Sequence, residues 1–252
     1  ALLVRDIQEN DHRRNEFLAM LAHELRNPLA PIRSAVHVMR LRSPDVPELH
    51  WAGDVIERQV THLVRIVDDL LDVSRITRGK IGLQPVDMDA AAAIASAVET
   101  SRPVIEAHGH ELSVSVPDRP IGLRADPARL SQVLANLLNN AAKYTPNGGR
   151  IRLTAESHAG EVVFRVRDNG MGIPREMLGK VFDLFTQVDT ALDRTQGGLG
   201  IGLTMVRRIV ELHGGSVRAE SEGLGQGSEF AVRLPALSER TLESANGLKP
   251  AP

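Results

Sequence analysis

The chain has 252 residues, 42% of them hydrophobic and 25% charged, the composition of an average folded protein with room for one large or two modest domains. A formal net charge of -2 gives no electrostatic case for nucleic acid or a membrane surface, and the absence of cysteine excludes disulfides and thiolate metal sites and fits a reducing compartment. No secretory signal heads the chain and no apolar run reaches the roughly 20 residues that span a bilayer, so a membrane or sensor module of a longer protein would lie outside this segment.

Leu3, Ile7, Asn10, Arg14, Phe17 and Leu21 recur in alternating steps of four and three. That is a coiled-coil seam with two polar members, or more blandly a surface helix. It runs into FLAMLAHELRNPLAPI at residues 17–32, within one long helix to about Arg42. Pro28 and Pro31 interrupt this stretch, and a proline costs a helix interior about 3 kcal/mol and one backbone hydrogen bond. Broken local rules of this kind tend to mark functional sites. The stripe Leu18, Leu21 or Ala22, Leu25, Leu29, Ile32, Val36 and Met39 keeps its phase across both prolines, which implies one kinked helix rather than a new helix capped by Asn27. His23 lies off the stripe, roughly 200° round from Leu25 at 3.6 residues per turn, on the exposed side with Met20, Asn27 and Ala30.

The segment SPDVP at 43–47 reads as a tight turn, and a second helix follows over about 48–77. Its stripe is Ala52, Val55 or Ile56, Leu63, Ile66 or Val67, Leu70 and Val73. The two helices form a hairpin that leaves apolar surface for another hairpin, and a dimeric four-helix bundle covers it. RITRGKIG at 75–82 ends the helical pattern with basic residues and glycine, which sets a first domain at 1–79.

From there the period changes, and only 3% of the chain is aromatic, so the core must be built from Leu, Val, Ile and Ala. Expected elements are a short strand near 81–84, a helix over 89–107, strands at 111–116 and 122–125, and a helix opened by Asp126 as N-cap and Pro127. That helix buries Leu130, Val133, Leu134, Leu137, Leu138 and Ala141. Strands at 150–157 and 162–168 form a hairpin around Ala159 and Gly160. A glycine-rich loop, a helix over about 200–213 closed by Gly214 and Gly215, and strands at 216–221 and 228–234 follow. The order lacks regular βαβ spacing, so residues 80–235 read as an α/β sandwich with a mixed sheet, and 236–252 as a flexible tail or linker.

Asn136, Asn140 and Lys143 share one helix face, which places amide oxygens suited to magnesium beside a cation suited to phosphate, although a solvated face would look the same. DNGMGI at 168–173 sets a carboxylate beside two glycines after a strand, where a buried carboxylate can accept from an exocyclic amine such as adenine's, although DNG alone is usually a turn. GGLGIGL at 197–203 opens a helix whose first N–H groups favour phosphate, yet it is neither a Walker loop nor a Rossmann fingerprint.

Together these stretches resemble one family. FLAMLAHELRNPL is similar to the H box of sensor histidine kinases, NLLNNAAKYT to their N box, DNGMGI and GGLGIGL to their two glycine boxes, and FDLF at 182–185 to the F box between them. The resemblance covers about 17–235 and implies a Bergerat-type ATP-binding fold, shared with DNA gyrase and mismatch-repair ATPases, behind a dimeric phosphoacceptor bundle. It implies that His23 is the phosphoacceptor, that Glu24 orients its ring as base or hydrogen-bond partner, and that Asn27 positions the phosphoryl group or a water. It further implies that Asn140 holds magnesium with Asn136 in support, that Lys143 and Tyr144 lie near the phosphates and the adenine edge, and that Asp168 reads the adenine amine. Gly170, Gly172, Gly198, Gly200 and Gly202 would let the backbone approach ATP, and Ser228 would contact the base through water.

Neutral imidazole is a competent nucleophile near pH 7 and phosphoryl transfer needs mainly positioning and charge neutralisation, which suits these roles. One departure stands out: Gln187 occupies the place where many members carry an arginine for the terminal phosphate, and Arg194 is the nearest cation before the second glycine box to replace it. The expectation is a cytoplasmic, magnesium- and ATP-dependent kinase that passes phosphate from His23 to an aspartate of a response-regulator receiver domain, with phosphatase activity toward that regulator and an upstream sensor outside the segment. The rivals are a dimeric nucleotide-binding scaffold without phosphotransfer and a Bergerat-fold ATPase.

Overall fold

The structure, a computed structural model, describes residues 29, 31–37, 39, 51–53, 55–57, 59, 60, 63, 82–184, 186 and 200–237. The chain divides into two compact units, Ala1–Gly79 with Ala191–Ile201, and Lys80–Thr190 with Gly202–Pro252.

In the first unit the described residues of 29–39 and of 51–63 are helical, as their apolar periods require. Ala35, Ala52 and Val55 form a buried cluster with Ile56 packed against it. Small side chains at the contact let two helix backbones approach closely. Of the expected stripes, Ala52 and Val55 are buried and Ile32, Val36 and Ile56 half-buried, while Leu29 at 52% and Met39 at 40% are exposed; Trp51 at 59% and Val60 at 46%, outside the stripes, are exposed as well. The seam from Leu3, the stretch holding His23, Glu24, Asn27 and Pro28, and the turn at 43–47 lie outside the described residues.

The second unit is an α/β sandwich. Its described strands are β1 (Val86–Asp89), β2 (Glu111–Ser115), β3 (Gly122–Ala125), β4 (Arg150–His158), β5 (Glu161–Asp168), β6 (Ser216–Glu220) and β7 (Glu229–Pro235). Its described helices are α1 (Ala90–Ala107), α2 (Pro127–Tyr144) and α3 (Gly202–Leu212), with a 3-10 turn at Arg175–Met177. Five strands run in the order β2-β4-β5-β7-β6, and β1 and β3 form a separate antiparallel ribbon. The β2–β4 pair is parallel and the others are antiparallel, so the sheet is mixed.

Alternation along the strands decides which face is covered. Ile151, Leu153 and Ala155 of β4, Val162, Phe164 and Val166 of β5, and Phe230, Val232 and Leu234 of β7 are buried beneath the helices. The opposite face carries arginines and glutamates. α2 is the central helix, packed against α1, α3 and β5, with Leu130, Val133, Leu134, Leu137, Leu138 and Ala141 all buried.

Local chemistry explains most boundaries. Asp126 caps α2 by accepting from the Arg129 N–H at 3.2 Å, with Pro127 at the first helical position, where its missing N–H costs nothing. Asp89 caps α1 in the same way through the Ala91 N–H at 3.1 Å. Ala159 and Gly160, at φ 52° and 80°, make the left-handed two-residue turn that joins β4 to β5.

Two expectations need correction. The first strand lies at Val86–Asp89, not near 81–84, because its partner is β3, with Val86 opposite Ala125 and Asp89 opposite Gly122. Residues 82–84 have no strand pairing, and Pro85 next to them has no N–H to donate. The helix expected from Gly200 begins at Gly202, since Gly200 has φ 65°, a left-handed value that a right-handed helix excludes.

Candidate functional site

The site forms where three elements end together. β5 closes at Asp168, the antiparallel β7 opens at Glu229 immediately after Ser228, and α2 ends at Tyr144. The Asp168 N–H donates to the Ser228 carbonyl at 2.9 Å, and the Met171 N–H donates to the Tyr144 carbonyl at 3.0 Å. The strand register therefore brings the DNGMGI loop against the GQGSEF stretch.

Asp168 is 7% exposed, and its carboxylate accepts from the Gly170 N–H at 2.8 Å, the Ser228 N–H at 3.2 Å and the Ser228 hydroxyl at 2.5 Å. Burial raises its pKa above the 3.8 of a free aspartate, and the Ser228 hydroxyl and the two N–H donors offset only part of that rise. Such a carboxylate is oriented and poorly hydrated, with capacity left to accept from a ligand amine.

The glycines allow this crowding. A Cβ on Gly170 would collide with the Tyr144 carbonyl, the Thr145 hydroxyl and Asp168 itself, and one on Gly227, at φ 71°, would collide with the Asp168 carbonyl. Gly172 at φ 69° runs equally close to the Gly223 carbonyl. Ser221 ties the loops together, donating to the Gly227 carbonyl at 2.7 Å while accepting from the Ile173 N–H at 3.0 Å.

A cleft of about 80 Å³, open to solvent at its mouth, runs from Asn140, Tyr144 and Asp168 past Gly172 to Ser228. Met171, Ile173, Val181, Leu203 and Phe230 supply its apolar wall, with Thr186 at its edge. Phe182 braces that wall from behind, edge-on to Phe230 at 6.2 Å between ring centres. A largely apolar cleft with a few convergent polar groups is what a flat heterocycle with an amine edge requires.

Of the residues named from sequence, Asn140, Tyr144, Asp168, Gly172 and Ser228 line this cleft. Gly170 lies under the Asp168 carboxylate, and Asn136 is one turn before Asn140 with its amide nitrogen buried and unpartnered. Lys143 donates to the Tyr144 hydroxyl at 3.0 Å, its ammonium 4.6 Å from the ring centre. Gly202 is the first residue of α3, while Gly200 precedes that helix and is not among the lining residues. His23, Glu24, Asn27, Gln187, Arg194 and Gly198 lie outside the described residues.

The apolar wall and the Ser221–Gly227 brace were not anticipated. The only sequence signal for the brace is the run of glycines at 223, 225 and 227, all with positive φ. His213, just past the end of α3, accepts at Nε2 from the Asp126 N–H at 3.0 Å and donates its Nδ1–H to the Ile209 carbonyl at 2.8 Å, tying the end of α3 to the cap of α2.

The donor set can be tested against magnesium and ATP. Among the described residues no cluster of three histidine or acidic side chains could cage a cation. Asn140 presents a hard amide oxygen in the cleft, and magnesium commonly takes few protein ligands and completes its shell with phosphate and water. Asn136, one turn before Asn140 on α2, and Thr145, next to Tyr144, each keep a buried polar side-chain atom without a partner. The residues fit a magnesium nucleotide.

The family described as "Histidine kinase-, DNA gyrase B-, and HSP90-like ATPase" matches residues 125–238, and the "His Kinase A (phospho-acceptor) domain" matches residues 13–79. The circadian input-output histidine kinase CikA of Synechococcus elongatus is 35% identical over 242 residues, covering 91% of this chain and 30% of CikA. The autoinducer 2 sensor kinase/phosphatase LuxQ of Vibrio parahaemolyticus is 33% identical over 258 residues, covering 98% of this chain and 30% of LuxQ. Full-length ShkA in complex with AMPPNP matches in structure with a TM-score of 0.66 and 30% identity, covering 88% of this chain and 46% of ShkA. The chain thus spans about 30% of the length of these two curated relatives.

Proposed function

This chain belongs to the sensor histidine kinase family, and from that premise we propose that it is the catalytic core that uses ATP to phosphorylate its own His23 and passes the phosphoryl group to an aspartate of a response-regulator receiver domain. The observation that carries the reading is the Asp168 carboxylate, held by Ser228 and Gly170 on the floor of an apolar cleft. ShkA, a relative at 30% identity, has been captured with the ATP analogue AMPPNP, which supports ATP as the ligand.

The proposed assignment follows from charge and shape. Asp168 accepts from the adenine amine, while Met171, Ile173 and Leu203 exclude water from the ring faces. Asn140, with Asn136 in support, would hold magnesium, whose charge would neutralise the phosphate oxygens. Lys143 and Tyr144 lie beside the phosphates, Gly198, Gly200 and Gly202 admit the backbone to them, and Arg194 supplies the cation that Gln187 lacks. A ring nitrogen of His23 attacks the terminal phosphorus, the bond to the bridging oxygen breaks and ADP leaves; Glu24 takes the other ring proton and Asn27 orients the acceptor.

The helical unit, 1–79, is assigned to dimerisation and phosphotransfer, and 80–235 to catalysis. Leu29, Met39, Trp51 and Val60 stay exposed outside the small Ala35–Ala52–Val55 contact, apolar surface that a second copy would cover in a four-helix bundle. Receiver docking is assigned to the surface of the His23 helix. Regulator phosphatase activity is included on the likeness to LuxQ, a sensor kinase/phosphatase. The lack of cysteine supports work in the cytoplasm.

Incubation with γ-labelled ATP and magnesium tests the proposal. Acid-labile, base-stable label on the chain, lost in His23→Gln, is expected. Nucleotide binding without label would indicate a scaffold, and equal phosphate release by wild type and His23→Gln would indicate an ATPase.

A further inference from the structure

The outer face of the sheet carries a second cleft, of about 420 Å³, lined by Arg150 and Arg152 of β4, Arg167 of β5, Ser113 and Glu111 of β2, and Gln226. Register puts Arg152 directly opposite Arg167, with Ser113 on the other side of Arg152. Like charges directly opposed across a strand pair destabilise a sheet. Among the described residues none of these three guanidiniums has an ion pair. Their neighbours on the same face do: Arg165 meets Glu156 at 3.3 Å and Glu229 at 3.5 Å, and Arg233 meets Glu161 at 3.3 Å. Glu111 stands opposite Arg150 without pairing to it, and the nearby Asp168 carboxylate is held by its own three donors.

Three unpaired guanidiniums converging on a cleft of small-molecule size, with a hydroxyl and an amide on its walls, make a binding site for a compact polyanion. No aromatic side chain lines it and Ile151 is its one apolar lining residue, so it offers no platform for a base or an apolar ring. We propose that this cleft is a second ligand site, separate from the nucleotide cleft, that takes a polyphosphate group. The two sites share a wall: Asp168 lines both, and Asn169, next to it, accepts from the Arg150 N–H at 2.7 Å. A ligand on the arginines therefore acts one residue from the carboxylate proposed to read ATP.

The test is calorimetric titration of sodium pyrophosphate into the full chain with its nucleotide cleft saturated by AMPPNP, and a parallel titration of GDP. One pyrophosphate per chain is expected, weakened at least tenfold by Arg152→Gln/Arg167→Gln and less than twofold by Arg165→Gln. The double variant removes opposed charges, so its melting temperature should not fall; Arg150→Gln serves if it does and should also weaken binding. GDP as tight as pyrophosphate identifies the tail of a nucleotide as the ligand, and GDP weaker identifies a free polyphosphate; both support the site. Absence of pyrophosphate binding at millimolar concentration, with or without retention of an acidic peptide, or equal weakening by Arg165→Gln, overturns it.

Discussion

The Ser228 hydroxyl donates to Asp168 Oδ2 at 2.5 Å, joining the first residue before β7 to the last residue of β5. Charge-assisted hydrogen bonds of this length are the strong ones. This bond therefore fixes which way the one buried carboxylate of the cleft faces, and the behaviour of the nucleotide site follows from it.

Asp168→Asn should abolish ATP binding while leaving the fold intact, measured by nucleotide titration beside a thermal melt. Burial raises the folded pKa of Asp168, so its contribution to stability is present below 3.8 and lost as pH rises through the folded value. At neutral pH the ionised carboxylate is thus a cost, and the asparagine variant should melt no lower than wild type. ATP affinity should fall on acidification with a midpoint above 3.8, as the carboxylate that accepts the amine becomes protonated.

Ser228→Ala removes the hydroxyl that opposes the effect of burial, so the acid limb of ATP binding should move to higher pH. Hydrogen bonds to charged groups are worth about 1.5–3 kcal/mol, so affinity near neutrality should drop roughly tenfold or more. An unchanged pH profile would remove Ser228 from the site.

Gly227→Ala and Gly160→Ala separate conformational strain from close approach. Both glycines have positive φ, but a Cβ on Gly160 meets nothing within 4 Å while one on Gly227 collides with the Asp168 backbone. Gly160→Ala should cost about 1–2 kcal/mol of stability and leave ATP binding unchanged. Gly227→Ala should cost more and reduce ATP affinity, as denaturant titration and nucleotide titration would show.

Asp126→Ala removes the cap of α2 and should cost about 1 kcal/mol. Burial alone would raise the pKa of Asp126, but the N–H groups of Gln84, Arg129 and Ala128 outweigh it and hold the value below 3.8. A depressed pKa stabilises above the unfolded value and is lost as pH falls through the folded one. The gap between variant and wild type should be full at neutral pH and close below 3.8, which urea denaturation across that range measures.

Arg194→Ala should reduce autophosphorylation far more than ATP binding, because a cation on the terminal phosphate acts chiefly in the transition state. Equal turnover by the variant and wild type would leave Gln187 uncompensated. Label incorporation and nucleotide affinity, measured on the same preparation, separate the two.

What the sequence determined on its own is local or periodic. The α2 stripe from Leu130 to Ala141, the Asp126–Pro127 start, the Ala159–Gly160 turn and the burial alternation of β4 all follow from side-chain period and cap chemistry within a few residues. The five boxes, read jointly, also sufficed to indicate the family. What only the tertiary structure decided depends on register between distant segments. The pairing of β1 with β3 moved the first strand to Val86, and the pairing of β5 with β7 set Ser228 against Asp168. The β4–β5 register put Arg152 opposite Arg167, and the end of α3 set His213 beneath the cap of α2. No local pattern encodes these meetings, because a strand's alternation specifies which face each residue takes but not which partner lies beside it.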